Sequence, residues 1–197
     1  MDVNRLEQQM RFLVEVDKMK SVYRRTILID KTRRESDAEH SWHFALMAML
    51  LAEYADPEKV DCARVIRMAL VHDLIEIYAG DTFAYDVQGN QDKRQRETEA
   101  ADKLFALLPE DQAAEIRALW EEFDAMETPD GQYAAAIDRL QPFLNNYLTQ
   151  GHTWGLGDVK SAQVYERMDP IRVALPEVWP FVDKMIQESI EKGYLEE

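Results

Sequence analysis

The chain has 197 residues, 46% hydrophobic and 31% charged, which is enough apolar material for a buried core and enough charge for a solvated shell, so intrinsic disorder is excluded. Its 23 basic and 38 acidic residues leave a net charge of −15, an average field that repels nucleic acid and anionic membranes. Only 7 glycines and 7 prolines punctuate it, too few turns for a many-stranded sandwich or barrel, so long helices with few loops are expected.

The single cysteine, Cys62, cannot close an internal disulfide, which suits a reducing compartment. The opening stretch MDVNRLEQQM carries acid and amide groups where a signal peptide needs apolar ones. The longest apolar run, Phe44 to Ala52, falls far short of the ~20 residues that span a bilayer. A soluble, cytoplasmic protein is expected.

In chain order, Leu6, Met10, Leu13 and Val14 form a helical stripe across residues 3–20, with Asp2 placed to cap it. Residues 21–36 lose periodicity and gather Arg24, Arg25, Lys31, Arg33 and Arg34, a basic loop and a local anion hook in an acidic chain. Ser36 and Glu39 have capping-box spacing and open a helix with His40, Phe44, Met47, Leu51 and Tyr54 on one face, stopping near Pro57. The next helix spans about 61–78, with Val65, Met68, Ala69, His72, Ile75 and Glu76 close together and Gly80 placed to end it. An apolar face that finishes in His72, Asp73 and Glu76 is costly to bury, so these groups must meet one another, water or a metal.

Residues 82–92 read as a loop, followed by helices over about 91–108 and 109–126. Thr128-Pro129-Asp130-Gly131 is a break. The helix after it carries Tyr133, Ile137, Leu140, Leu144 and Tyr147, with Asp138 beside that stripe, and ends at Gly151. Residues 151–158 read as a glycine-rich loop, and the tail is helical again from about 160, punctuated by Pro170, Pro176 and Pro180. The expected architecture is an all-α, single-domain bundle of six to eight helices.

Histidine occurs only at 40, 43, 72 and 152. A divalent metal of borderline hardness takes imidazole nitrogen and carboxylate oxygen together. His40, His72, Asp73 and Asp138 offer two of each from three core helices. Glu76 shares one side of its helix with His72, and Asp81, just past the break, can fold back over the same spot. His43 reads as a packed or supporting group and His152 as a loop hydrogen-bonder.

His40, His72-Asp73 and Asp138, set in ESDAEHSW, ALVHDLIEIYAGD and AAIDRLQPFLNNY, resemble the H…HD…D pattern of the HD-domain metal-dependent phosphohydrolase superfamily. The resemblance is to its small single-domain branch that contains the 5′-deoxynucleotidases, and it spans about residues 10–150. It implies a metal-binding core over 10–150 with a helical extension at 158–197, and His40, His72, Asp73 and Asp138 as ligands of one divalent transition metal (Mn, Co, Fe, Ni or Zn). It further implies that Glu76 and Asp81 are the catalytic acids, with either able to handle the water's proton and Asp81 also able to protonate the leaving oxygen. Arg25 would orient the phosphate, and Asp81, Thr82 and Thr26 would contact substrate; the nucleotidases carry Trp where this chain has Thr26, which bears on substrate identity. The implied reaction is hydrolysis of a (deoxy)nucleoside 5′-monophosphate by a homodimer, with tail aromatics such as Trp179 and Phe181 available for the interface. A phosphodiesterase, an alarmone hydrolase or a metal-stabilised regulatory module are the alternatives. Glu76, Asp81 and Arg25 weigh against the last, since a structural metal needs none of them.

Overall fold

A computed structural model describes residues 3–197, and the expected cap at Asp2 lies outside them. Among these residues the chain runs through α1 (Val3–Val16), a 3₁₀ turn (Asp17–Ser21), a hairpin of β1 (Tyr23–Ile27) and β2 (Arg34–Ser36), and α2 (Asp37–Leu50). It continues through α3 (Cys62–Val71), α4 (Glu76–Ala79), α5 (Lys93–Phe105), α6 (Glu110–Ala125) and α7 (Pro129–Leu148). It finishes with α8 (His152–Leu156), α9 (Ser161–Ala174) and α10 (Trp179–Glu191). Eight of these helices have ten residues or more, so the expected all-α bundle forms, with one small antiparallel hairpin added.

Local chemistry sets the helix starts that matter. Ser36 stays extended and accepts from Glu39 N, while the Glu39 carboxylate accepts from Ser36 N at 3.0 Å, closing the capping box that begins α2. Asp61 accepts from Ala63 N and Arg64 N at the head of α3. Thr128 accepts from Gly131 N at 3.0 Å at the head of α7, with Pro129 in the first turn. Gly80, at φ 76°, supplies the left-handed residue that ends α4.

Three segments depart from the sequence reading. The basic stretch is a hairpin rather than a loop, in part because Arg34 turns back to donate to the Tyr23 and Arg24 carbonyls. Its register slips between Tyr23 and Ile27, and that irregularity lets two consecutive residues, Arg24 and Arg25, reach one cavity where strict alternation would separate them. The expected helix over 61–78 ends at Val71, and residues 72–75 wind through tight turns, with Leu74 N bonding Val71 O and Glu76 N bonding Asp73 O. No glycine or proline marks that break. Residues 152–156 form the short α8 where a loop was expected.

The larger core gathers Phe44, Met68, Tyr133, Ile137, Trp154, Ile171 and Ile186 around α7. A smaller one gathers Phe12, Ile75, Leu104, Phe105 and Trp120. The tight turns at 72–75 lie where the two meet, with the His72 ring against Phe44 and Phe123 at 5.2 and 4.8 Å. The α1 stripe faces outward instead of inward: Leu6, Met10, Leu13 and Val14 are exposed, and only Phe12 of that helix is buried. No helix of the described residues is long and apolar enough to cross a membrane.

Candidate metal centre

Helix α2 places His40 one turn after its cap, α3 ends at His72-Asp73, and α7 brings Asp138 across from both. All four side chains are buried. His40 Nε2 lies 2.9 Å from Asp138 Oδ1, and His72 Nε2 lies 3.0 Å from Asp73 Oδ2. The cross distances are 3.6 Å for His72 Nε2 to Asp138 Oδ1 and 3.9 Å for His40 Nε2 to Asp73 Oδ2. Donors bound to one metal at about 2.1 Å stand roughly 3.0–3.5 Å apart, close to these four separations, and His40, His72 and Asp73 offer donor atoms that all lie within 4.8 Å of one another.

The imidazole tautomers also fit. His72 Nδ1 donates to the Ala69 carbonyl at 2.9 Å, so in the neutral ring that a metal would bind Nε2 has its lone pair directed into the cluster. That nitrogen is buried and has no hydrogen bond of proper geometry. His40 Nδ1 donates to Gln141 Oε1 at 2.8 Å, and Gln141 is held in that orientation by donating to Glu35 Oε1 at 2.7 Å. Asn145 donates to the other Glu35 oxygen at 3.3 Å. The residues present therefore fit a divalent metal, with outer partners that set ring orientation.

Charge follows the same logic. Burial works to lower the His72 pKa, but the Asp73 and Asp138 carboxylates outweigh it and hold it up at about 10, so a proton takes the place of a metal's charge. Burial works to raise Asp73, yet His72 and Arg24 hold it low; Asp138 is held well below its usual range by His40 and His72 in the same way. Glu76 goes the other way: burial, then the Asp73 charge, pushes its carboxyl well above the usual range. Burial also raises Asp81, and it raises Asp37, with help from Asp73, to about 7. Asp37, Asp73 and Glu76 bring carboxylate oxygens within 4.8 Å of one another, a second trio able to hold a cation.

Beside the centre opens a cavity of about 220 Å³, a size that takes one small molecule. Arg24, Arg25 and Thr26 line one wall, and the chain after Gly80 supplies Asp81, Thr82, Phe83 and Tyr85. Arg24, rather than Arg25, reaches the centre, donating to Asp73 Oδ2 at 2.6 Å, while Arg25 stacks over the Phe83 ring at 4.8 Å. Thr26 is buried and donates to Glu35 at 3.3 Å. One guanidinium clasps the 80–92 loop: Arg96 donates to the carbonyls of Ala79 and Gly89, each at 2.8 Å, and to Thr82 Oγ1 at 3.1 Å.

The HD domain family model matches residues 16–179 of this chain. The chain belongs to the HD domain family. Across its length this HD domain is similar to a predicted metal-dependent phosphohydrolase from Magnetospirillum magnetotacticum MS-1, at 49% identity over 98% of this chain and 97% of that one, with a TM-score of 0.94. It is 31% identical to the human (Homo sapiens) 5′-deoxynucleotidase HDDC2 over 68% of this chain and 65% of the relative, so it spans just under two thirds of the relative's length. The fold alone is shared with an HD-domain phosphohydrolase from Listeria innocua, at 16% identity over 94% of this chain and 95% of that one, with a TM-score of 0.65.

In this HD domain the seven residues His72, Asp73, Asp138, Glu76, Asp81, Arg25 and Thr82 line one cavity, Thr26 joins them, and His40 completes the donor set behind. His152 is exposed and not among the lining residues. His43 Nδ1 accepts from Gln141 Nε2 at 3.2 Å, a supporting contact. Sequence reasoning passed over Glu35, Gln141 and Asn145. A usable signal existed for Gln141, which follows Asp138 by three residues and so shares its helix face. It also passed over Arg139 and Arg167, the second on α9, which stand on the cavity wall.

Proposed function

We propose that this chain is a metal-dependent phosphohydrolase that releases phosphate from a small phosphomonoester, foremost a deoxynucleoside 5′-monophosphate. The observation that carries the reading is the buried cluster of His40, His72, Asp73 and Asp138, with His72 Nε2 free of any hydrogen bond, beside a small cavity. The likeness to the Magnetospirillum phosphohydrolase and the human 5′-deoxynucleotidase supports the same reaction class.

Charge balance supports a dianionic ligand. The cavity is lined by five cations (Arg24, Arg25, Lys93, Arg139, Arg167) and, with Asp81 protonated as an acid, four carboxylates (Asp73, Glu76, Asp124, Asp138), so two added positive charges and one phosphate dianion leave it within one charge of neutral. The four donors would hold one divalent transition metal, which would supply charge to the phosphoryl oxygens and lower the pKa of water. Arg24 and Arg25 hold the remaining phosphate oxygens and set the line of attack. Glu76, next to the donors, orients the attacking water and takes its proton; positive charge at the centre brings its carboxyl back toward the usual range. Asp81, nearer the cavity mouth, delivers a proton to the leaving 5′ oxygen as the P–O bond breaks, and Thr82 contacts the sugar.

We also propose a homodimer in a reducing, cytoplasmic setting. Trp179 is engaged within the chain by the Arg172 guanidinium at 4.1 Å, so of the two tail aromatics only Phe181 is left exposed. The better contact surface is the exposed face of α2, with Trp42, Leu46, Met49 and Leu50, together with the outward stripe of α1. Sedimentation of the protein and of Met49→Glu checks this; a monomer at micromolar concentration ends it.

The decisive assay strips the protein with chelator, restores Mn, Co, Ni, Fe, Zn or Mg singly, and follows phosphate release from nucleoside monophosphates and simple esters beside Asp73→Ala. Metal-dependent release that is lost in the variant is the expected result. Stoichiometric metal binding with no release from any monoester sinks the reading and leaves a phosphodiester substrate or a binding module.

A further inference from the structure

Asp138 faces two ways. Its Oδ1 serves the donor cluster, while its Oδ2 lies 3.8 Å from Arg167 Nη2. Arg167, from α9, and Arg139, from α7, both line the cavity, whereas Arg24 is paired with Asp73. The Arg139 guanidinium donates to the Arg167 backbone carbonyl at 3.3 Å and to the Met126 sulfur at 3.2 Å. Among the described residues no carboxylate lies within 4.0 Å of it. Of these two half-buried guanidinium groups, Arg167 has one carboxylate, which the donor cluster already uses, and Arg139 has none. Keeping such donors in a cleft is costly unless a ligand completes them.

What completes them follows from their chemistry. Guanidinium groups only donate, so a pair of them is best completed by a carbonyl oxygen with its two lone pairs; adenine has none, and its N1 and N7 each stand beside a donating amino group. One phosphate dianion and a divalent cation leave the cavity within one charge of neutral, so a second phosphate dianion would tip it negative. A neutral acceptor is favoured. The adjoining wall is aromatic: Tyr85 packs edge-on to Phe83 at 5.4 Å, beside the buried Trp154. Such a wall suits a flat heterocycle.

We infer that Arg139 and Arg167 form a base-reading subsite that takes a nucleobase through a carbonyl oxygen, favouring guanine, cytosine or thymine over adenine. The inference rests on the phosphomonoesterase reading above and assigns the substrate's second recognition point. The test measures kcat/KM for the four deoxynucleoside 5′-monophosphates and for deoxyribose 5-phosphate, which lacks a base. In the parent protein each carbonyl-bearing substrate exceeds the adenine one by about tenfold or more. Arg139→Met and the more exposed Arg167→Met bring that ratio to within about twofold of one, with the change in KM, and both unfold cooperatively on heating. A ratio near one in the parent, or a ratio the variants preserve, overturns the subsite. So does an equal loss for deoxyribose 5-phosphate, which would assign the pair to the phosphate. If no compound is hydrolysed, deoxyribose 5-phosphate included, the reaction reading is what fails. Calorimetric binding of deoxyguanosine against deoxyadenosine then decides the subsite, equal affinities ending it.

Discussion

On the inner side of the centre, the partners that orient the histidines come from the hairpin and the helices: Gln141 turns His40, Glu35 turns Gln141, and the Ala69 carbonyl turns His72. On the outer side, the cavity wall is an 80–92 loop without regular structure, clasped by the Arg96 guanidinium and braced from within by the Asp86 and Asn90 side chains. The inner side consists of charges that must keep fixed distances to hold a cation, and rigid elements with nested hydrogen bonds provide that. The outer side meets the variable part of a substrate, and a clasped loop provides shape without the same precision. Substitutions on the two sides should therefore separate metal affinity from substrate affinity.

The largest expected effect is at the donors. His72→Ala should abolish stoichiometric metal binding and cut phosphate release by about 10³-fold or more, read by metal analysis and a phosphate assay. Retained metal with lost activity would break the assignment of the inner side. Glu76→Gln should keep the metal and lower kcat by roughly 10²–10⁴-fold, because it removes proton handling and not a donor of the four. Equal activity would move that role to Asp81. Gln141→Leu touches no substrate, yet it should weaken metal affinity by about 10–100-fold in a chelator competition, with little change in KM at saturating metal. Arg96→Met should do the reverse, raising KM by about tenfold or less while metal affinity stays within error.

The proton on His72 gives a pH test of the same contrast. Its pKa in the folded, metal-free protein, about 10, lies above the value of 6.5 for a free imidazole. The stabilisation it contributes is therefore complete below pH 6.5 and lost as pH rises through about 10. The melting temperature of the metal-free protein should fall over that window, and saturating metal should flatten the fall. A metal-free melting temperature that rises with pH there would contradict the charge balance drawn for the donors.

The parts legible in the sequence are those with local causes. Ser36 and Glu39, Asp61, Thr128 and Gly80 announce helix ends through residues three or fewer apart, and each does so in the structure. The six residues expected on one face from Val65 to Glu76 are all buried. The turns at 72–75 were illegible because no breaker stands there; the tight winding goes with bringing two adjacent buried polar side chains to one point, which a regular helix sets ~100° apart. The hairpin was hidden by its arginines, which suit a loop by composition and become strand residues through Arg34 and the paired carbonyls. The supporting network was illegible for another reason: Gln141 meets His40 across 101 positions and Glu35 across 106, so no window along the chain holds both partners.

The clasp on the 80–92 loop has an evolutionary consequence. Arg96 grips main-chain oxygens at Ala79 and Gly89, atoms that every amino acid carries. Residues between those anchors whose side chains neither brace the loop nor serve the reaction, such as Phe83 to Tyr85, Val87 and Gln88, can drift without releasing it. A lineage of such proteins can then explore new substrates by point mutation in this stretch while its inherited chemistry stays intact.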